Sequence, residues 1–138
     1  MKLSYVVGGA VAAAVLVAII VVLVPKTPCN GGVCKVTVTI QDCAGGGITA
    51  TPDPIPVPSA NNIEWTIPNS DDYEFTANGI SVHGSGFTNM PGVTGNGKKF
   101  IIHDAYSDPT HRIKYAIEVR PSNSTTACKI ADPFISHE

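Results

Sequence analysis

The chain beyond residue 24 lacks any window of helical length in which apolar residues recur every 3.6 positions. It also lacks a basic stripe. Without Lys2, eight Lys or Arg residues stand against eleven Asp or Glu residues, a net charge of −3 with His neutral. The first absence argues against a helical domain. The second argues against a nucleic-acid partner, because binding phosphates requires concentrated positive charge.

Motifs for nucleophilic catalysis and structural zinc are missing as well. There is no G-x-S-x-G elbow, and a Ser or Cys needs a base within hydrogen-bond reach to act as a nucleophile. The cysteines are spaced Cys29-x4-Cys34-x8-Cys43-x84-Cys128, whereas zinc knuckles use paired C-x2-4-C spacings. The sequence therefore predicts no catalytic residues, no enzyme activity and no cofactor.

A long uncharged run is present at the N-terminus. Residues 3–24 are rich in Val, Ala, Ile and Leu, and as a helix they would span about 33 Å, enough for a bilayer core of roughly 30 Å. A cleaved signal peptide is the alternative, but its apolar core is usually about 7–15 residues long and ends in small residues. We predict a transmembrane anchor, or an uncleaved signal sequence, over residues 1–24, a linker over 25–33 and one domain over 34–138.

Four cysteines, an even number, in a small domain behind such a segment predict disulfides and an oxidising compartment. Three pairings are possible. We favour Cys29 with Cys34 across a glycine-containing turn, and Cys43 with Cys128, which would close a long loop worth roughly 4–5 kcal/mol. We therefore expect a single-pass membrane protein whose C-terminal domain is periplasmic or extracellular.

Alternation of apolar and polar residues predicts β-strands in this domain. Val36, Val38 and Ile40 would face one side of a strand, with polar residues on the other side. The same pattern occurs in residues 63–67, 73–77 and 113–119, and more weakly in 48–51, 80–83 and 100–103. About seven short strands separated by Gly, Pro, Asn and Asp clusters predict an all-β, two-sheet antiparallel sandwich.

Local signals refine this prediction. The prolines of residues 52–58 fit only an extended sheet edge, because each one removes a ladder donor. Asn78-Gly79 is typical of a turn. Trp65 should be a core residue, because it shares a strand face with Ile63 and Ile67.

Residues 48–57 followed by 62–65 resemble the P-x-x-I-x-V … I-x-W pattern that opens cupredoxin-like sandwiches, and residues 115–119 are similar to their penultimate strand. The pattern also resembles immunoglobulin-like β-sandwiches. The resemblance implies a scaffold without the copper ligands. A blue-copper site needs two His, a Cys thiolate and usually a Met, but no Met follows Met90 and no His lies between Cys128 and His137.

Four side chains are nonetheless candidates for a metal site: His103, Asp104, Asp108 and His111 lie on one predicted connection and could converge on a divalent ion. Asp108 followed by Pro109 is equally an ordinary turn, so no metal site is predicted. The remaining histidines, His83 and His137, stand alone and are expected at the surface.

Two further features mark exposed segments. Residues 84–97 contain five of the thirteen glycines and predict a mobile loop, which together with residues 104–112 would form a working surface at one end of the sandwich. Asn123-Ser124-Thr125 fits the acceptor pattern for N-glycosylation, although short sequons also occur by chance.

These observations favour a membrane-anchored extracytoplasmic module that binds or assembles with another envelope component. The anchor would contact the membrane through residues 3–24, and the domain would contact a protein partner or a second copy of itself. A metal-binding or metal-delivery domain is the alternative. A small hydrolase with an unrecognised site is the third hypothesis.

Overall fold

A computed structural model describes residues 28–43, 47–68, 72–130 and 133–138. In these ranges no helix is long and apolar enough to cross a membrane. The predicted anchor lies outside the described residues. The described part is all-β, as predicted, and contains eleven strands: β1 Cys29–Asn30, β2 Val33–Ile40, β3 Ile48–Thr51, β4 Ile55–Val57, β5 Asn61–Thr66, β6 Tyr73–Val82, β7 Phe87–Thr94, β8 Lys99–Asp104, β9 Arg112–Pro121, β10 Cys128–Ile130 and β11 Phe134–His137.

The strands form two sheets. The first has the order β1-β2-β5-β8-β7, with β3 also paired to β2, and the second has the order β10-β9-β11-β4, with β6 also paired to β9. Two pairs, β2 with β5 and β4 with β11, are parallel. The sheets are therefore mixed and contain more strands than the seven or so antiparallel ones that were predicted. Strands of two or three residues are too short to show alternation, and parallel pairing arises where the chain enters the other sheet before returning.

Strand β4 illustrates this crossing. It lies within the proline-rich segment and occupies the edge of the second sheet, as the missing backbone donors require. At the N-terminal side, β1 and the first residue of β2 fall within the span that sequence analysis assigned to a linker. The first sheet therefore begins inside that span.

The predicted alternation is confirmed in the long strands. In β2, Cys34, Val36, Val38 and Ile40 are buried while the residues between them are exposed. Trp65 of β5 is fully buried, and its ring makes an edge contact with Tyr115 of β9, with centroids 5.4 Å apart. Inward-facing residues of both sheets thus form one core.

The Trp65 and Tyr115 contact leaves two polar atoms inside this core. Neither the indole Nε1 nor the phenol oxygen has a hydrogen-bond partner among the described residues. Burial raises the pKa of Tyr115 well above its ordinary value; the nearby indole N–H opposes this shift, although the two groups fall short of hydrogen-bond geometry. The pair therefore contributes through packing.

Two predicted connections differ from the structure. Asn78-Gly79 is not a hairpin turn but part of an irregular stretch inside β6, where the register with β9 shifts between Phe75 and Ile80. A Cβ on Gly79 would lie 2.8 Å from the Phe75 Cβ, so only glycine fits there. Most of residues 84–97 is edge strand β7, with a register shift between Asn89 and Gly92, rather than a loop.

Two disulfides link the chain with the pairing favoured from the sequence. Cys29–Cys34 joins β1 to β2, with a sequence separation of 5. Cys43–Cys128 joins the segment after β2 in the first sheet to β10 in the second, with a separation of 85. The second disulfide therefore connects the two sheets covalently.

Candidate functional site

The predicted metal candidates lie near one end of the sandwich, where β8 ends and the chain crosses to β9. We call residues 84–87, 104–111 and 137 the brace end. Alternation along β8 points Phe100, Ile102 and Asp104 toward the core, and all three are buried. The alternation that buries Phe100 and Ile102 therefore also places the Asp104 carboxylate inside the protein.

Asp104 pairs with His137 across the two sheets. The His137 Nε2 lies 2.8 Å from Asp104 Oδ2, and the two side chains are 3% and 0% exposed. Because a carboxylate only accepts hydrogen bonds, Nε2 carries the proton and donates. Asp104 Oδ1 accepts the backbone N–H of Tyr106 at 2.8 Å. Both carboxylate oxygens are therefore satisfied inside the protein, as a buried charge requires.

Aromatic rings flank the His137 imidazole. The Tyr106 ring centroid is 4.3 Å away and the Phe87 centroid is 6.2 Å away. Tyr106 has φ of 58°, a left-handed conformation that is costly for a bulky residue. Its N–H bond to Asp104 and its hydroxyl bond to the Glu138 carbonyl hold it there. This arrangement fixes the orientation of the imidazole and shields it from solvent.

Near this buried pair, Asp108 links the connection between β6 and β7 to the connection between β8 and β9, on which it lies. Its Oδ2 accepts the Ser85 backbone N–H at 2.6 Å, and its Oδ1 accepts the Thr110 backbone N–H at 2.8 Å. The Thr110 hydroxyl, followed by the Ser85 N–H, lowers the pKa of Asp108 to about 2. The carboxylate is therefore ionised and fully engaged, and the turn interpretation of this residue describes its role.

Close approach of the same two connections depends on Gly86. Its carbonyl accepts the Ala105 N–H at 2.9 Å, and a Cβ at this position would lie 2.1 Å from Ser107 Oγ. The start of the predicted glycine-rich segment therefore folds against residues 105–111. The rest of residues 84–97 continues into strand β7 and does not lie at the brace end.

The four metal candidates do not converge. His103 Nδ1 lies 2.9 Å from Asn62 Oδ1 on the other face of β8, and His111 is exposed, its carbonyl accepting the His137 N–H at 3.0 Å. Within the described ranges, no group of three or more His, Cys, Asp or Glu side chains could hold a metal ion. Of the four, Asp104, Asp108 and His111 lie at the brace end, and the two carboxylates there accept hydrogen bonds from protein groups.

His137, which the sequence places at the surface, is buried instead. The available signal was alternation in β11, where Ile135 and His137 share the inward face. Sequence alone could not pair it with Asp104, because the two residues belong to different sheets.

A second exposed feature is strand β7, at the edge of the first sheet. Met90 and Val93 are 63% and 38% exposed and are the exposed large hydrophobic side chains of the described residues. They lie at and just after the register shift, where Pro91 lacks an N–H. This strand therefore presents apolar side chains on a backbone that is poorly suited to further strand pairing.

Sequence comparisons assign no relationship to these features. No protein-family model matches the chain, and no curated protein sequence matches it.

Proposed function

We propose that this chain is a membrane-anchored extracytoplasmic β-sandwich that binds another protein of the cell envelope through strand β7. The supporting observation is the exposed pair Met90 and Val93 on this edge strand. Apolar side chains that a rigid element exposes to solvent offer a contact surface to a partner. Methionine adapts its flexible side chain to irregular pockets, which suits Met90 to such a contact.

The backbone of β7 limits how a partner protein can bind this strand. The register shift and Pro91 interrupt any continuous ladder on the free edge of the strand. We therefore propose that the partner accepts the Met90 and Val93 side chains in an apolar pocket and does not add a strand. The brace end fixes the start of β7, because Ser85 and Gly86 are bonded to the 105–111 connection.

The surface is tested by a double substitution, Met90→Gln with Val93→Thr, which replaces two apolar side chains by polar ones of similar shape. Cross-linking in intact cells that make the protein, followed by purification, should yield one partner with the natural chain and at least tenfold less with the double variant. Thr39→Gln, on the exposed side of β2, is the matched control and should not reduce recovery. Equal recovery of the partner with the double variant and with Thr39→Gln would show that strand β7 is not the binding surface.

Anchoring is tested separately. The proposal rests on the uncharged run of residues 3–24 and on the disulfides, which favour an oxidising compartment. The mature protein should keep its N-terminus, fractionate with membranes, and be digested by protease added outside intact cells or spheroplasts. An N-terminal sequence that begins beyond residue 20 would refute the anchor. The cupredoxin-like scaffold stays a prediction beside this function.

A further inference from the structure

The connection between β9 and β10 carries the acceptor pattern Asn123-Ser124-Thr125. The Ser124 N–H donates to the Pro121 carbonyl at 3.0 Å and closes a turn around Asn123. The side chains of Asn123 and Thr125 are both exposed. The turn thus presents the two groups that an N-glycosylating enzyme recognises, an amide and a hydroxyl two residues later, at the protein surface.

The rest of the connection holds this turn in place. The Ser122 N–H donates to the Asp72 carbonyl at 2.7 Å, and Ser124 Oγ accepts the Thr126 N–H at 3.1 Å. Cys128, which ends the connection, is tied by its disulfide to Cys43. The base of the connection is therefore fixed to the sandwich. A large group on Asn123 would extend into solvent and displace no core residue.

Asn123 is also the only asparagine in the sequence that is followed two positions later by Ser or Thr. Its side chain makes no hydrogen bond to any other residue in the described part of the chain, so modification would break no structural contact. By contrast, Asn61 and Asn62, in β5, use their side chains in bonds to Ser59 and His103.

We propose that Asn123 is an N-glycosylation site. In the transfer, Asn123 Nδ2 bonds to the anomeric carbon of an oligosaccharide that is supplied on a lipid diphosphate. The bond from that carbon to the diphosphate oxygen breaks, the lipid diphosphate leaves with the electron pair, and Nδ2 loses one proton. The inference rests on the extracytoplasmic placement proposed above, because such transfer takes place on the exported side of a membrane.

The test is expression of the full chain in a eukaryotic cell line, whose secretory pathway carries the transferase. Intact mass and gel mobility should show one glycan, which peptide-N-glycosidase removes. Asn123→Gln and Thr125→Ala should each abolish the glycan. Thr125→Ser is the matched control, because it keeps the hydroxyl and the acceptor pattern and should retain modification.

A second variant separates failure of the site from failure of export. It combines Asn123→Gln with an Asn-Ser-Thr tripeptide appended after Glu138. If this tail is glycosylated while natural Asn123 is not, the domain is exported and the proposed site is wrong. If neither position is glycosylated, both the site and the extracytoplasmic placement are overturned. Glycosylation of Asn123 supports both.

Discussion

The two ends of the sandwich are held in different ways. At the brace end, a buried pair, Asp104 with His137, joins the sheets. At the opposite end, which we call the hairpin end and which comprises residues 72–74, 95–98 and 120–128, the sheets are joined by the Cys43–Cys128 disulfide. An ion pair is present there as well, since Arg120 Nη2 lies 2.8 Å from Glu74 Oε1.

The two pairs have the same 2.8 Å separation, but their side-chain exposures are 3% and 0% for His137 and Asp104, against 41% and 22% for Arg120 and Glu74. Because the distances are equal, the difference in burial sets the stability that we expect from each pair. Water screens an exposed pair, whereas a buried charge without its partner remains desolvated.

The largest loss of stability is expected when the disulfide at the hairpin end is removed. Replacing Cys43 and Cys128 together by Ala should lower the free energy of unfolding by about 4–5 kcal/mol, because the disulfide restricts a long loop in the unfolded chain. Replacing Cys29 and Cys34 should lower it by only about 2 kcal/mol, since that loop is short. Urea denaturation measures both. Equal losses would contradict the loop-length argument and would remove the special role of the inter-sheet disulfide.

The next effect tests the buried pair at the brace end. Asp104→Ala should cost about 3–5 kcal/mol in urea denaturation, because it leaves the His137 imidazole buried without an acceptor. His137→Ala should cost a similar amount. The double variant should cost clearly less than the sum of the two, since the residues share one interaction. Additive losses would mean that the two side chains do not depend on one another.

A smaller effect concerns Asp108, whose lowered pKa implies that ionisation stabilises the fold. This contribution is fully present above the ordinary pKa of 3.8 and is lost as pH falls toward about 2. Thr110→Val removes the hydroxyl that contributes most to the shift. In an NMR titration the Asp108 pKa should rise toward 3.8, and the melting temperature near pH 3 should fall. An unchanged Asp108 pKa in this variant would contradict the assigned cause.

The smallest effect is expected at the exposed pair. Glu74→Gln should change the free energy of unfolding by about 0–1 kcal/mol, with the difference shrinking as salt is added, because water and ions screen the partner charge. Urea denaturation at low and high salt is the measurement. A loss as large as that of Asp104→Ala would break the comparison between the two ends.

Sequence reasoning succeeded where burial follows a repeating pattern over several residues. Val36, Val38 and Ile40 were assigned to a buried face because β2 is long enough to alternate. It identified residues 52–58, which contain β4, as a sheet edge from their prolines. It failed for β7, whose glycines suggested a loop although glycine is also used at a bulge.

The brace end could be predicted only in part. Asp104 was singled out for its chemistry, and the alternation of β8 would have marked it as buried. Its partner could not be found in the same way, because pairing between sheets depends on topology. The topology in turn includes short strands, which alternation of apolar and polar residues does not predict. The cysteine pairing was accessible because few combinations exist and loop closure favours one of them.

The two disulfides also determine how the domain would respond to mechanical load. If the chain is pulled between residue 28 and its C-terminus, tension passes from Cys29 directly to Cys34, and from Cys43 directly to Cys128. Residues 44–127, which include β5, β8 and all of β9, then lie outside the force-bearing path. A pulled domain could lengthen only through the short segments between and beyond the cross-links, since each residue adds at most about 3.6 Å. Tension at a tether would thus act on β2, which pairs with β5 at Trp65, while the free edge of β7 lies off its path.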